Sequence, residues 1–145
     1  MPTAAHLWTK LRREILYMKD ETGRWLEFAD ENLASAKVLF DNGLFNPCLQ
    51  NTQQAVEKML KALLIEFSVK FRKTHSISEL AILLKDKHLD INLAEEDCEM
   101  LDSIYLPSKY PLGSVLPDFE PDEKICKNCI AIAERVKQSI LMLLH

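Results

Sequence analysis

Apolar residues recur along this chain at steps of three and four, so its elements are predicted to be helices. Leu7, Trp8, Leu11, Ile15 and Met18 share one face of a first segment, residues 1–23, that ends near Gly23 and reads as an amphipathic N-terminal helix. Trp25, Phe28, Ala29, Leu33, Ala36, Leu39 and Phe40 carry the next stripe up to Asn42-Gly43, where a glycine suits a left-handed helix cap. Asn46-Pro47 is expected to open a second core helix, with Asn46 as cap and the proline at the first helical position. Its stripe runs through Leu49, Thr52, Ala55, Val56, Met59, Leu60, Leu63, Leu64 and Phe67, a length that makes it the backbone of the fold.

Ser76-Ile77-Ser78-Glu79 has the spacing of a capping box and predicts a short helix that buries Leu80, Leu83 and Leu84. A further helix is expected from a cap at Asn92 to Glu95, with Cys98, Leu101, Ile104 and Tyr105 as its stripe. Residues 107–121 hold Pro107, Pro111, Pro117 and Pro121 and are read as a loop without helix. Asp122 and Glu123 then complement the positive end of a last helix, on which Ile125, Cys126, Cys129, Ile130, Ala133, Val136, Ile140 and Leu143 form the stripe. The expected fold is all-α, an up-and-down bundle of about five helices with an N-terminal amphipathic helix. It divides into an extension at 1–23 and a bundle domain at 24–145.

Composition changes this picture little. A chain of 145 residues can bury a core without disulfides or metal, and 3 glycines argue against a Gly-rich phosphate loop. The net charge of -4 excludes a global attraction to nucleic acid or anionic lipid and leaves room only for local basic patches such as Lys70-Phe71-Arg72-Lys73. No apolar run is long enough to span a bilayer and no signal peptide is visible, so a cytoplasmic protein without membrane contact is expected. Cys48, Cys98, Cys126 and Cys129 are then reduced thiols. Cys126 and Cys129 fall on an apolar stripe, which reads as burial and not as a metal site. No metal and no cofactor are expected.

Packing leaves some residues unexplained. Glu57, Lys58 and Lys61 neighbour one another on the second core helix, either as a groove whose ammonium groups hold a phosphate or as a solvated face with an ordinary ion pair. His75, just ahead of Ser76, reads either as a polar recognition group or as a tie between its connection and the bundle, and no acid partners it at short range in the sequence. Tyr105, Lys109 and Tyr110 bring two rings and a cation to the mouth of the proline-rich segment. That is the combination that recognises bases and phosphates of unpaired nucleic acid, and equally one that packs beneath a loop.

Taken in order, Ala34 to Leu39, Gln53-Gln54-Ala55-Val56-Glu57-Lys58 with Lys61-Ala62-Leu63, Thr74-His75-Ser76-Ile77 with Leu80, and Tyr105 with Lys109-Tyr110-Pro111 resemble the HEPN domain family over roughly residues 25–144. The resemblance implies a helical bundle that commonly forms homodimers and works beside a minimal nucleotidyltransferase, in a toxin–antitoxin-like pair. It also implies nucleotide or RNA binding, for which Glu57, Lys58, Lys61, His75, Tyr105, Lys109 and Tyr110 are the ligand-binding candidates. A homodimer through the second core helix and the last helix is expected. Many members are ribonucleases that use an arginine followed four to six residues later by a histidine. Here the nearest arrangement is Arg72 with His75, at a shorter spacing, so whether the chain is an enzyme is open. The alternatives are a divergent metal-independent ribonuclease built on His75, and a structural module that binds a protein through residues 1–23.

Overall fold

The computed structural model describes residues 18–109 and 120–144, with the backbone alone at 106–109. Its helices are α1 (Asp20–Asp41), α2 (Phe45–Glu66), α3 (Ile77–Asp86), α4 (Glu95–Lys109) and α5 (Glu123–Leu144). No strand occurs among the described residues, and the all-α bundle expected from the stripes is the observed architecture. α1 and α2 form an antiparallel pair, α5 packs on both, and α3 and α4 pack on α2 and on each other. Every other helix therefore touches α2.

That enclosure explains the burial of α2. Leu49, Ala55, Val56, Leu60, Ala62, Leu63 and Leu64 have no solvent exposure, and they meet Leu26 and Leu33 from α1, Leu80 and Leu84 from α3, Leu101 from α4, and Ala133, Val136 and Ile140 from α5 in one core. The wide apolar face of α2, expected to supply a dimer interface, is used up inside the chain. A buried ion pair, Lys137 Nζ to Asp30 Oδ1 at 2.9 Å, ties α5 to α1 across the same core.

Helix ends follow local chemistry. Three helices close with the same pair of carbonyl-saving bonds: Leu44 N–H to Leu39 O at 2.9 Å after α1, Val69 to Leu64 at 2.8 Å after α2, and Leu89 to Leu84 at 3.1 Å after α3. Each needs a left-handed residue just before the donor, supplied by Gly43 (φ 71°), Ser68 (φ 55°) and His88 (φ 59°). The apolar donors Leu44, Val69 and Leu89 are the usual companions of this motif. Asp122, expected to complement the positive end of α5, also caps it, its Oδ1 accepting from the Ile125 N–H at 2.8 Å.

Several boundaries differ from expectation. α1 starts ahead of Gly23, which is buried inside it, because Glu66 at the end of α2 accepts from the Lys19 N–H at 3.0 Å and from Thr22 Oγ1 at 2.9 Å. Lys19 Nζ answers by donating to Ile65 O at 2.8 Å and Ser68 Oγ at 2.5 Å at the carbonyl end of α2. The rest of the segment 1–23, up to residue 17, lies outside the described residues. α2 begins at Phe45, so Pro47 stands at its third position, where the missing N–H is one that no carbonyl of the helix would have reached. α4 begins at Glu95; Asp97 Oδ2 reaches back to the Ala94 N–H at 3.1 Å, and Asn92 lies outside the helix. α4 also runs through Pro107 to Lys109, against the expectation of a loop from 107 onward. A proline in the last turn removes one ladder bond, and the packed positions Cys98, Leu101 and Ile104 hold the helix regardless.

All four cysteines are buried free thiols. Burial first, then the neighbouring Cys48, pushes the Cys126 thiol up to about 12; burial, then Cys48 and Asp97, pushes Cys129 up to about 12; and burial followed by Asp102 pushes Cys98 up to about 11. Thiol labelling of the native chain at pH 8 should therefore be slow at all three and fast only in denaturant. The folded chain holds these protons after an unfolded thiol would lose its own, so above about pH 9 the unfolded state binds fewer protons. The stability present below that pH should fall progressively as pH rises toward about 12, read as a dropping urea midpoint.

Candidate functional site

Four polar residues of α2 stand at or beside its buried faces. Gln53, Glu57 and Lys61 follow one another at four-residue steps and are buried, with Glu57 only 3% and Lys61 7% exposed. Lys58, half-buried, stands on the α1 side. Groups so placed must satisfy one another. Glu57 Oε2 accepts from Lys61 Nζ at 3.0 Å, and its Oε1 faces Gln53 Nε2 at 3.4 Å and His75 Nδ1 at 3.1 Å.

The connection from α2 to α3 supplies His75. Its carbonyl accepts from Gln53 Nε2 at 3.3 Å, and its ring stacks on Tyr105 of α4, with centroids 4.9 Å apart and planes 17° apart. A carboxylate only accepts, so the Nδ1 facing Glu57 is the nitrogen placed to donate, and Nε2 lies at the opposite edge of the ring. The side chain remains 47% exposed, and Nε2 has no hydrogen-bond partner among the described residues.

The head of α3 fixes this ring. Ser76 caps the helix by accepting from the Glu79 N–H at 3.2 Å, which is half of the expected capping box. Glu79 does not complete it. Its carboxylate turns outward to Arg72, which donates from Nε at 2.5 Å and Nη2 at 3.0 Å. This fork holds the Glu79 carboxyl below the usual carboxylate range and raises the Arg72 guanidinium. The Ser76 N–H that Glu79 would have taken donates to Thr74 Oγ1 at 3.1 Å, and Asp102 of α4 accepts from the next two, the Ile77 N–H at 2.6 Å and the Ser78 N–H at 3.1 Å, and from Ser78 Oγ at 2.6 Å. Asp102 and Tyr105 sit one turn apart on α4, so the residue that clamps Ser76 also sets the ring that His75 stacks on.

On the other side, Lys61 Nζ lies 5.8 Å from the Trp25 ring centroid and Lys58 Nζ lies 5.8 Å from that of Phe28. Lys58 also donates to Asn32 Oδ1 at 2.6 Å, and Asn32 continues to Asn51 at 3.0 Å. Burial pulls the Lys58 ammonium below the ordinary lysine value, with Glu57 and Glu31 acting against that shift.

The HEPN domain profile matches residues 22–143. The chain belongs to the HEPN family. A solved structure similar to it is the crystal structure of an archaeal HEPN homologue, 22% identical, with a TM-score of 0.58 over 86% of this chain and 98% of that one. At that identity the likeness shows the fold. No curated protein matches the chain. Membership supports a nucleotide-related module.

Of the expected HEPN site residues, the structure brings together Glu57, Lys61, His75 and Tyr105. It corrects the phosphate groove in two respects. Glu57 and Lys61 are not on an open face, because both are buried against neighbouring elements, and the charge of Lys61 is answered by Glu57. Lys58 stands apart from His75, held at Asn32 and Phe28. The Lys109 side chain and Tyr110 lie outside the described residues. Arg72, the only arginine near His75 in sequence, is engaged by Glu79. Gln53, Trp25 and Asp102 were not among the expected site residues. Gln53 could have been found as the residue one turn before Glu57, and Asp102 as an acid one turn before Tyr105. Among the described residues no group of three metal-binding side chains occurs, and no helix is long and apolar enough to cross a membrane.

Removing Glu57 leaves the buried Lys61 uncompensated, so Glu57→Ala should cost about 3–5 kcal/mol, whereas the double change Glu57→Leu with Lys61→Met should be far milder than either partner's loss alone. Asp102→Ala strips two helix-end N–H groups of their acceptor and should cost about 1–2 kcal/mol. Urea denaturation measures both. A Glu57→Ala protein as stable as the wild type would show that this network is solvated.

Proposed function

We propose that this chain is a nucleotide- or RNA-binding HEPN module whose recognition centre is the His75–Tyr105 stack. The observation that carries this reading is the imidazole itself: Glu57 holds Nδ1, Tyr105 holds the ring plane, and the half-exposed edge offers Nε2. A ring so fixed meets a base without loss of rotamer freedom, by stacking and by one hydrogen bond from a base or ribose donor to Nε2. In this reading the chain works as a homodimer in the cytoplasm beside a minimal nucleotidyltransferase, as one half of a toxin–antitoxin-like pair, in line with the family resemblance.

The same dyad favours one other reading, a metal-independent ribonuclease. A carboxylate on Nδ1 makes Nε2 a general base for a ribose 2′-hydroxyl. Against it stands the engagement of Arg72, the nearest arginine in sequence, by Glu79.

Calorimetric titration with AMP and with short single-stranded RNA tests the first reading. Wild type should bind, His75→Gln and Tyr105→Ala should each lose about 1–3 kcal/mol, and all should remain folded. Incubation of the same RNA in EDTA tests the second: cleavage by wild type that vanishes in His75→Gln makes the chain an enzyme. Failure of the wild type to bind at millimolar ligand would falsify the binding reading.

A further inference from the structure

The connection that delivers His75 carries a run of cations that the site described above leaves unused. Lys70, Arg72 and Lys73 stand close together in sequence and all are exposed, and neither lysine has an ion pair or hydrogen bond among the described residues. Arg72 is answered by the Glu79 fork, and with 76% of its side chain exposed that fork is open to competition. The backbone beneath these cations is fixed at both ends. The Val69 N–H donates to Leu64 O at 2.8 Å, the buried Thr74 accepts from the Ser76 N–H, and the His75 carbonyl accepts from Gln53. Two residues of chain span at most about 7 Å, so Lys73 lies within a side chain's reach of what the His75 ring holds. The other acids near the ring are engaged elsewhere: Asp102 accepts from the N–H groups of α3, and Glu57 faces Lys61 and Gln53.

We propose that Lys70, Arg72 and Lys73 form a phosphate subsite beside the His75–Tyr105 stack that takes the 5′-phosphates of a nucleoside triphosphate, and that Glu79 holds the Arg72 guanidinium in the phosphates' place when the subsite is empty. The inference rests on the nucleotide-binding reading above and names its ligand class, a single nucleotide with a compact polyphosphate. The grouping of the charges favours that class. A triphosphate concentrates its charge on adjacent phosphorus atoms, as these cations concentrate theirs on adjacent residues, whereas a strand spaces one charge per nucleotide. Arg72 meets phosphate as it meets Glu79, through two N–H donors in a plane. Exchanging one pair of oxygens for another keeps its hydrogen bonds, and the two lysines add point charges that need no fixed geometry.

The experiment uses the full chain, with dissociation constants for adenosine, AMP, ATP and inorganic triphosphate measured by calorimetry in EDTA. ATP should bind at least about tenfold tighter than adenosine, with AMP between them, and the gap should narrow as salt rises from about 50 to about 200 mM, because exposed charges are screened. Arg72→Ala and Lys73→Ala should each cut the ATP-to-adenosine ratio by at least about threefold, and Arg72→Lys should recover only part of it, since the fork is lost. Glu79→Gln should move the ratio the other way, up by at least about threefold, which a purely structural ion pair would not do. Circular dichroism checks that the variants stay folded. Equal affinity for ATP and adenosine, both weakened by Tyr105→Ala, would overturn the subsite and leave the His75 centre standing. Inorganic triphosphate bound as tightly as ATP and indifferent to Tyr105→Ala would make the run a plain anion site and overturn its place beside the stack. An unchanged ratio in Glu79→Gln would overturn the part given to Glu79, and binding by none of the four ligands would overturn both the subsite and the centre.

Discussion

A carboxylate buried on a helix that has neighbours on every side must be answered from within the fold, and Glu57 sets that demand here. Taking its charge out of water costs several kcal/mol unless partners lie within hydrogen-bond reach. Lys61 supplies one from the next turn, as a charge that itself needs an answer. The remaining oxygen faces Gln53 and His75, so the connection between α2 and α3 is drawn down onto α2 instead of looping over it. The path of that connection, the start of α3 and the position of α4 all follow from this one requirement.

His75 thereby serves two ends. Its backbone carbonyl and its Nδ1 compensate buried groups of α2, and its exposed edge is the part that the proposed reading assigns to a ligand. Orientation is controlled from three sides: Glu57 fixes the tautomer, Tyr105 fixes the plane, and Asp102 fixes Ser76, the next residue in the chain. A histidine whose position also stabilises the fold cannot swing away without taking one hydrogen-bond partner from the buried Glu57 Oε1. Preorganisation of this kind comes with the packing, with no separate ordering cost on binding.

The bundle was legible because its helices carry clear stripes and because Gly43, Ser76 and Asp122 punctuate it with local chemistry. Misjudged boundaries fell where a distant residue decides the end. Glu66 starts α1 ahead of Gly23, and the packing of Leu101 and Ile104 carries α4 past Pro107. Ser68 and His88 close helices in a left-handed conformation that sequence favours only for glycine or asparagine. Within the site, Glu57, Lys61, His75 and Tyr105 were found by their chemical type, while their arrangement was not. Amphipathic reasoning assigns charged residues to the solvated side, but on α2 that side is a narrow half-exposed strip through Gln50, Gln54 and Lys58, and the Glu57–Lys61 pair lies off it, so a buried pair looks in sequence like a surface ion pair. The acid that partners His75 lies 18 positions earlier, and Asp102 lies 26 positions after Ser76; both separations are closed only by the tertiary fold.

The pairing of charges also bears on what this surface can recognise. Basic residues that bind phosphate do so with charge to spare, as an excess over nearby carboxylates. Around Lys58 and Lys61 that excess is absent, and the chain as a whole carries -4. What the surface has in surplus is planar apolar area held against cations: Trp25 beside Lys61, Phe28 beside Lys58, and His75 on Tyr105. An ammonium beside a ring is attracted to its π-face and restrains the ring. Such a surface differs in kind from a basic groove, which holds any polyanion through its excess of positive charge.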